Sequence, residues 1–554
     1  MKPTRWERYA DPLLALALWA GYVALLLATS RHLGYARDEG FYFDAARSYE
    51  AWFRVLAENP SEALRRATID RYWSVNHEHP ALMKSLFALS HRFLYEKLHW
   101  FRAEGTSMRF AGMAVSSLAL SFTYLWGRRA VGRVAGLVAA LLLAFMPRTF
   151  YNAHLECFDM PVAALWLVTT YLYWRSLASG GWRWAIATGV AYGLLLDTKH
   201  NSWLLPIALV LHLVATRGRL FLRELRAGRV AVPKALVAMA TIGPLVFYAG
   251  WPWIWHDTGK RLAEYVAFHL GHEYYNMEFL GRTYWKPPMP RGYAWLMTLG
   301  TVPGITLLLF AVGLVASLFH ARRALRERLE PARDDAARLP TDALWLVGLL
   351  GAYAPWLSTG TPIFGGTKHW LTAYPFLCLF AARGFELARE RLGELAGRRR
   401  ALVTPALAAS VLASPVVITL HSHPWGLSAY TPLVGGAPGA ASLGLNRTFW
   451  GYTTGSLAST LNRDAPPGAV VYVHDTALQS FFVMQRDGQL RRDLRGTLDI
   501  AASDFALYHH EPHMGRVDYQ IWVDYGTVRP LAVGAYDGVP VVWLYERPRP
   551  ESHP

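Results

Sequence analysis

The apolar stretch at residues 12–30, PLLALALWAGYVALLLATS, decides the fold class of this chain. It is long enough to cross a bilayer, because roughly 20 helical residues span the ~30 Å hydrocarbon core. Lys2, Arg5 and Arg8 precede it, and basic residues beside a span prefer the cytoplasm. Since no small-x-small cleavage site follows, we interpret the stretch as an uncleaved anchor with a cytoplasmic N-terminus, not as a secretory signal.

Similar apolar runs recur along the chain. It has 554 residues, of which 53% are hydrophobic and only 17% charged, a balance unlike that of soluble multi-domain proteins. We predict further spans near residues 107–126, 134–150, 159–175, 184–197, 202–216, 235–254, 293–319, 342–357, 371–387 and 401–420. The sequence therefore predicts an α-helical polytopic membrane protein with about 11 transmembrane helices.

The formal charge of +16 has a topological explanation. Arginines cluster between spans, as in residues 127–133, 175–183, 217–234, 321–338 and 388–400, and all of these connections fall on the side of the N-terminus. Nothing places them on one basic face, so no nucleic-acid partner is predicted. The two cysteines, Cys157 and Cys378, lie in or beside apolar segments, which favours buried thiols over a disulfide or a metal cage.

The same alternation predicts two long extracytoplasmic loops, residues 31–106 and 255–292. Within the first, ALMKSLFALSHRFL at 81–94 is too short to span and would reverse the side of every arginine-rich connection. We interpret it as an amphipathic helix on the outer surface. Aromatic side chains alternate with charges in the second loop, where they could stack on sugars or anchor the loop among headgroups.

The pattern changes after residue 421. Residues 1–420 form the predicted membrane domain, 421–445 a linker, and 446–554 a small soluble extracytoplasmic α/β domain. Alternating apolar residues predict strands at 469–475, 519–526 and 540–547, whereas GSLASTLNRD at 455–464 predicts a helix.

Asp38 and Glu39 follow the first span closely. A carboxylate can accept a proton from an attacking hydroxyl or amine, and Asp38 is our candidate for that base. Glu39 could orient Asp38 or hold the acceptor, although adjacent side chains diverge by about 100° on a helix, so a turn at Gly40 would be needed. The alternative is that both acids cap a helix beginning near Phe41.

A second motif follows about forty residues later as His79-Pro80-Ala81-Leu82-Met83-Lys84. With Asp38-Glu39 before it, this order resembles the C-type glycosyltransferases that use polyprenyl-phosphate sugars. The nearest patterns are those of the protein O-mannosyltransferase-like and bacterial lipid A aminoarabinose transferase-like families. The mannosyltransferase motif reads His-Pro-Pro-Leu-Gly-Lys, so Ala81 and Met83 depart from it.

The resemblance implies that Asp38 activates the acceptor while His79 and Lys84 approach the donor phosphate. It also leads us to expect that the loop 255–292 closes over the donor. Other predicted substrate-binding residues are chosen by type and position at the outer ends of spans, where Lys or Arg could stabilise a departing phosphate. They are Glu78, Arg148, Asp159, Lys199, Lys368 and His369. The alternative for Lys199 and Lys368 is that they are interfacial residues whose amines extend to lipid headgroups.

Histidines near these acids raise the possibility of a metal site. His77, Glu78 and His79, or else His154, Glu156 and Asp159, could bind zinc or manganese. No complete ligand set has a recognisable spacing, so hydrogen-bonded histidines are the preferred interpretation. No cofactor is therefore predicted, and a divalent metal stays open.

These expectations converge on an inverting glycosyltransferase of the bacterial inner membrane. It would move a sugar from a polyprenyl-phosphate carrier to a lipid, glycan or protein acceptor on the extracytoplasmic face, with membrane lipids as its other partners. A secondary transporter or flippase is the alternative, although the chain lacks the internal repeats that many transporters show. A binder of lipid-linked sugars without catalytic activity would share every motif.

Overall fold

The computed structural model describes residues 5–228, 232–327, 335–474 and 477–548. Lys2 and parts of two arginine-rich connections, residues 229–231 and 328–334, therefore lie outside the described residues. Helices α1–α11 are Arg5–Ser30, Arg37–Glu58, Pro60–Ala63, Arg66–Trp73, Leu82–Ser90, Glu104–Ala130, Arg133–Ala144, Pro147–His154, Asp159–Ser179, Trp182–Leu196 and Leu204–Arg226. Helices α12–α22 are Lys234–Gly250, Thr258–Leu270, Tyr293–Thr301, Gly304–Glu327, Asp335–Tyr353, Tyr374–Ala396, Arg400–Ser422, Gly436–Ser442, Ala458–Asp464, Leu478–Arg486 and Gly515–Tyr525. Strands β1–β7 are Met277–Phe279, Arg282–Tyr284, Val470–Val473, Arg495–Thr497, Phe505–His509, Ala532–Tyr536 and Val539–Glu546.

Four helical segments of the described chain are long and apolar enough to cross a membrane: Tyr9–Ser30, Glu104–Ala130, Gly304–Arg323 and Gly366–Ser422. The predicted span 134–150 is instead broken, because α7 and α8 meet at 70° just before Pro147, where a proline starts a new helix more readily than it continues one. The predicted span 293–319 is likewise divided between α14 and α15. The chain is thus mostly helical with several apolar helices, and the count of 11 stays a prediction.

The predicted loop 31–106 is itself largely helical, running through α2–α5 to the first turns of α6. Residues 81–94 form α5 and then a π-helical turn, His91–Lys97. One face of α5 is buried, with Met83, Phe87 and Ala88 fully shielded from solvent. This agrees with an amphipathic helix, and α5 packs between α2 and α6.

The C-terminal part contains a five-stranded mixed sheet in the order β4-β3-β5-β7-β6. Strand β3 pairs in parallel with β4 and β5, and β7 runs antiparallel to β5 and β6. The strands predicted at 469–475 and 540–547 correspond to β3 and β7, apart from Asp475, which lies outside the described residues. The strand predicted at 519–526 is wrong: residues 519–525 belong to α22, in which Asp518, Ile521 and Tyr525 are buried at spacings of three and four residues. These spacings keep the three side chains on one face of a helix, whereas residues three apart would lie on opposite faces of a strand.

Residues 421–445, predicted as a linker, contain the short helix α19 and buried side chains such as Tyr430 and Leu445. The region beyond them packs against the start of α2. The Ser480 hydroxyl donates to the Ala36 carbonyl at 2.8 Å, and the Arg37 amide donates to the Trp450 carbonyl at 2.8 Å. These contacts hold the C-terminal part beside the predicted catalytic dipeptide.

Candidate active site

A cavity of about 330 Å³ opens beside the N-terminus of α2. Its walls come from α2, the segment before α5, the start of α9, the segment after α10, α13 and the 3₁₀ segment Gly366–Ala373. Seven of the ten predicted site residues line it: Asp38, Glu78, His79, Asp159, Lys199, Lys368 and His369. Side chains far apart in sequence thus meet around one space, as the sequence predicts for these residues.

Asp38 is the acid best placed for chemistry in this cavity. Its carboxylate lies 3.2 Å from the Lys368 ammonium, and its side chain is 20% exposed. Burial opposes ionisation of Asp38, but the charges of Lys368 and Arg37 outweigh that effect, so its pKa lies below the usual value for aspartate. Asp38 is therefore a carboxylate at neutral pH and can accept a hydrogen bond from a hydroxyl group.

Two further cations reach the cavity. Lys199 forms an ion pair with Asp159 at 2.5 Å. Arg37 has no carboxylate oxygen within ion-pair distance among the described residues, and its guanidinium lies 5.2 Å from the ring centroid of Tyr275. Arg37 is not among the predicted site residues, although its position directly before Asp38 is a usable signal. An arginine without a carboxylate partner at a cavity wall is suited to a phosphate ligand.

Histidine side chains line another part of the cavity wall. The rings of His200 and His269 stack with centroids 3.8 Å apart, and the His79 ring is 5.4 Å from that of His269. Burial is the main cause that lowers their pKa values, well below normal for His79 and His200 and to about 4 for His269. These rings are therefore neutral at pH 7, so they can shape the cavity and exchange hydrogen bonds but cannot balance a phosphate charge.

Glu39 does not line the cavity, and the prediction of a catalytic Glu39 does not fit its surroundings. Its carboxylate receives two bonds from Arg109, at 2.6 and 2.7 Å, and one from the Ala36 amide at 2.8 Å. A further bond comes from the Glu156 amide at 3.0 Å. The side chains of Asp38 and Glu39 point in different directions around α2. Glu39 therefore caps the start of the helix, whereas Asp38 faces the cavity.

Lys84 is also directed away from the cavity. Its ammonium donates to the carbonyl oxygens of Asn76 and His79, the latter at 2.9 Å. Burial lowers the pKa of Lys84 to about 7. The structure therefore favours a role in fixing the turn that presents Glu78 and His79, in place of the predicted phosphate contact.

Arg148 is the third predicted residue outside the cavity. Its guanidinium is buried, donates to the Ala429 carbonyl at 3.3 Å, and lies 5.1 and 5.3 Å from the ring centroids of Tyr430 and Phe449. This packing joins α8 to the segment that leads into the C-terminal part, so its predicted substrate contact is not favoured.

The predicted metal groups do not assemble. Both ring nitrogens of His154 have partners, at 2.7 Å each, in the Phe150 carbonyl and the Thr29 hydroxyl. The ring of His77 hydrogen-bonds the Ser74 carbonyl at 2.8 Å and lies against Trp253, away from His79.

A different group in the described residues, Glu50, His91 and Glu96, has suitable ligand atoms within 4.8 Å of one another. Arg54 already bridges its two carboxylates at 2.6 and 2.5 Å, however, and His91 bonds Glu50 at 2.5 Å. A paired charge network accounts for these side chains. No cofactor is established.

Comparisons with known proteins support the predicted resemblance. Residues 97–248 match the family described as dolichyl-phosphate-mannose-protein mannosyltransferase. A comparison with curated sequences gives no match.

Among solved structures, the Archaeoglobus fulgidus oligosaccharyltransferase in its apo form is 12% identical with a TM-score of 0.50, covering 89% of this chain and 64% of the other. ArnT from Cupriavidus metallidurans bound to undecaprenyl phosphate is 16% identical with a TM-score of 0.48, covering 98% of each chain. The chain thus resembles the C-type glycosyltransferases in part of its sequence and in its fold.

Proposed function

We propose that this protein is an inverting glycosyltransferase that takes a sugar from a polyprenyl-phosphate carrier at the cavity around Asp38. The observation that carries the proposal is the meeting of an ionised carboxylate with Arg37 and Lys199 in one partly open space. The family match and the fold agree with this activity. The transporter alternative finds no support in either comparison.

In the proposed reaction, an acceptor hydroxyl attacks the anomeric carbon of the donor sugar. The new carbon–oxygen bond forms on the face opposite to the bond that breaks, so one displacement inverts the anomeric centre. Asp38 takes the proton of the hydroxyl, and the carrier leaves as a polyprenyl phosphate with one more negative charge. No group of the protein needs to become covalently attached.

The cations of the cavity have distinct parts in this scheme. Arg37 is the best placed to bind the leaving phosphate, since its guanidinium has no competing carboxylate among the described residues. Lys199 can add a second positive charge, although Asp159 shares it. Lys368 holds Asp38 ionised and fixes its position.

The second predicted loop contributes to the same space. Phe268, His269, His272 and Tyr275 line the cavity from α13 and the segment after it. We propose that this loop covers the donor headgroup and excludes water, which would otherwise compete with the acceptor.

Location and domains complete the proposal. We place the cavity on the extracytoplasmic face of the bacterial inner membrane, since the arginine-rich connections would then face the cytoplasm. Residues 1–420 would hold the catalytic machinery, and residues 446–554 would form the outer domain. The acceptor would be a lipid, a glycan or a protein.

The direct test is sugar transfer by the purified full-length protein in nanodiscs, with a panel of undecaprenyl-phosphate sugars. Loss of a general base should slow transfer by about 10²–10⁴-fold in Asp38→Asn. Asp44→Asn is a matched control, because Asp44 lies on the same helix with its side chain 53% exposed. Transfer by Asp38→Asn at the control rate would remove Asp38 from the mechanism, and no turnover of any carrier would remove the proposed activity.

A further inference from the structure

A second, smaller cavity of about 110 Å³ adjoins the first. Arg37, Tyr275 and Phe364 line both cavities, so the two spaces meet along these side chains. The far wall comes from the C-terminal part, through Phe449 and Trp450 and through the segment after β5 that holds Glu511 and His513. This second cavity therefore exists only where the C-terminal part meets the rest of the chain.

The second cavity approaches Asp38 from the side of Lys368. The Lys368 ammonium is 3.2 Å from the Asp38 carboxylate and 4.0 Å from the ring centroid of Trp450. A molecule bound against Trp450 would thus lie close to the proposed base. An acceptor must reach that base with its hydroxyl while the remainder of the molecule stays outside the donor cavity.

Polar groups of this second cavity are suited to an uncharged partner. Burial raises the pKa of Glu511 to about 8, even though its carboxyl accepts the Thr448 amide at 2.9 Å. It is mainly protonated at neutral pH and can donate a hydrogen bond. Asn276 donates to the His513 ring at 2.8 Å, and that ring also lies 3.1 Å from a carboxylate oxygen of Glu278, so both of its nitrogens have partners within the protein. The carboxamide oxygen of Asn276 has no hydrogen-bond partner among the described residues. These groups offer both donors and acceptors to hydroxyls.

Other acceptor classes fit less well. A protonated amine would need a carboxylate, and Glu511 is the one carboxyl among the described residues that line this cavity. A lipid tail would need an apolar channel, whereas histidine, asparagine and glutamic acid side chains alternate here with aromatic rings. Aromatic rings combined with a few placed hydrogen-bonding groups are typical of sugar sites.

We propose that the second cavity is the acceptor subsite and binds one neutral sugar unit of a glycan, through Asn276 and Glu511 with Trp450 and Tyr275 as apolar walls. This assignment rests on the proposed transferase function for its role as an acceptor site. The binding itself is open to measurement without any donor.

The test is saturation-transfer NMR of the full-length protein in nanodiscs with a panel of methyl glycosides and no donor. Asn276→Ala should weaken binding of the best glycoside about ten-fold, the effect of one lost hydrogen bond. His513→Gln, which removes the ring that orients the Asn276 carboxamide, should weaken binding in the same direction. His421→Gln serves as the control, since His421 is 62% exposed on the side chain and pairs with Asp537 outside either cavity. Gel filtration and melting curves show whether each variant is folded, and two variants guard against the misfolding of one.

The outcomes separate the two proposals. Glycoside binding that both variants weaken, with no sugar transfer from any carrier, would keep the subsite and overturn the proposed function. Transfer by the wild-type protein with no glycoside bound, or with binding equal in both variants, would overturn the subsite alone. Binding of a cationic peptide or of lipid vesicles at this cavity, in place of glycosides, would also overturn it.

Discussion

Asp38 and Glu39 are neighbours in sequence, yet their surroundings are opposite. Asp38 borders an open cavity that it shares with Arg37 and Lys368, whereas Glu39 is fully buried and bonded by Arg109 and backbone amides. One residue of helix rotates a side chain by about 100°, enough to separate a reactive position from a supporting one. The difference indicates that the carboxylate on one face of α2 is available to a ligand, whereas the carboxylate on the other face supports the fold.

The largest expected effect is a loss of stability when the buried residue Glu39 is changed. Glu39→Gln leaves Arg109 charged and without its ion partner, and the loss of one member of a buried pair costs about 3–5 kcal/mol of unfolding free energy. Both side chains are at most 2% exposed. Denaturant unfolding of the detergent-solubilised protein measures this cost.

The control for this experiment is Asp44→Asn, an exposed change on the same helix that should stay within about 0.5 kcal/mol. If the Glu39→Gln variant kept its stability and lost only transfer, Glu39 would have a catalytic role. The contrast between Asp38 and Glu39 would then be wrong.

The second effect is a loss of transfer rate when Arg37, at the cavity wall, is changed. Arg37→Gln should lower transfer by about 10²–10³-fold, as expected when one charged donor to a developing anion is removed. Stability should change little, because Arg37 has no ion pair to lose among the described residues. Steady-state transfer and melting temperature are the two readouts. Arg71→Gln, an exposed arginine, is the matched control. A large loss of stability without a specific loss of rate would mean that Arg37 supports the fold and does not bind the leaving phosphate.

Sequence alone predicted much of the cavity. Acids, bases and cations near membrane depth tend to gather around wet space. On that ground the sequence predicted that Asp38, His79, Asp159, Lys199 and Lys368 meet, and all five line the cavity. The sequence did not predict the direction in which each side chain points. Lys84 matches the family motif, but its ammonium is directed back to the carbonyls of the preceding turn.

Residue type also could not predict the tertiary contacts of a side chain. Arg148 packs on Tyr430 and Phe449, which follow it by about 300 residues along the chain and reach it only through the tertiary fold. Residues 519–526 alternate like a strand, but tertiary packing selects the helical period in α22. Pattern therefore gives the position of a residue along the chain more readily than the direction of its side chain.

A third experiment tests the electrostatic cause of the reactivity of Asp38. Lys368→Met removes the charge that most favours the Asp38 carboxylate, so burial should raise the pKa of Asp38. Transfer needs the ionised form, and the acid limb of the pH–rate profile should therefore move to higher pH by about one unit or more. The wild-type protein should keep its rate to lower pH than the variant. Identical acid limbs would show that Lys368 does not control this group.

The smallest effect concerns the buried carboxyl group of Glu511. Glu511 has a pKa raised to about 8, so the folded state holds a proton that the unfolded chain releases near pH 4. Stability from this group is fully present below the unfolded value and is lost as pH rises toward 8. Glu511→Gln keeps the shape without the titration, and its melting temperature should vary less between pH 6 and pH 8 than that of the wild type. The difference should be about 1 kcal/mol per pH unit at most. Parallel pH profiles for the two proteins would mean that Glu511 is ionised in the fold, and its surroundings would then resemble those of Asp38.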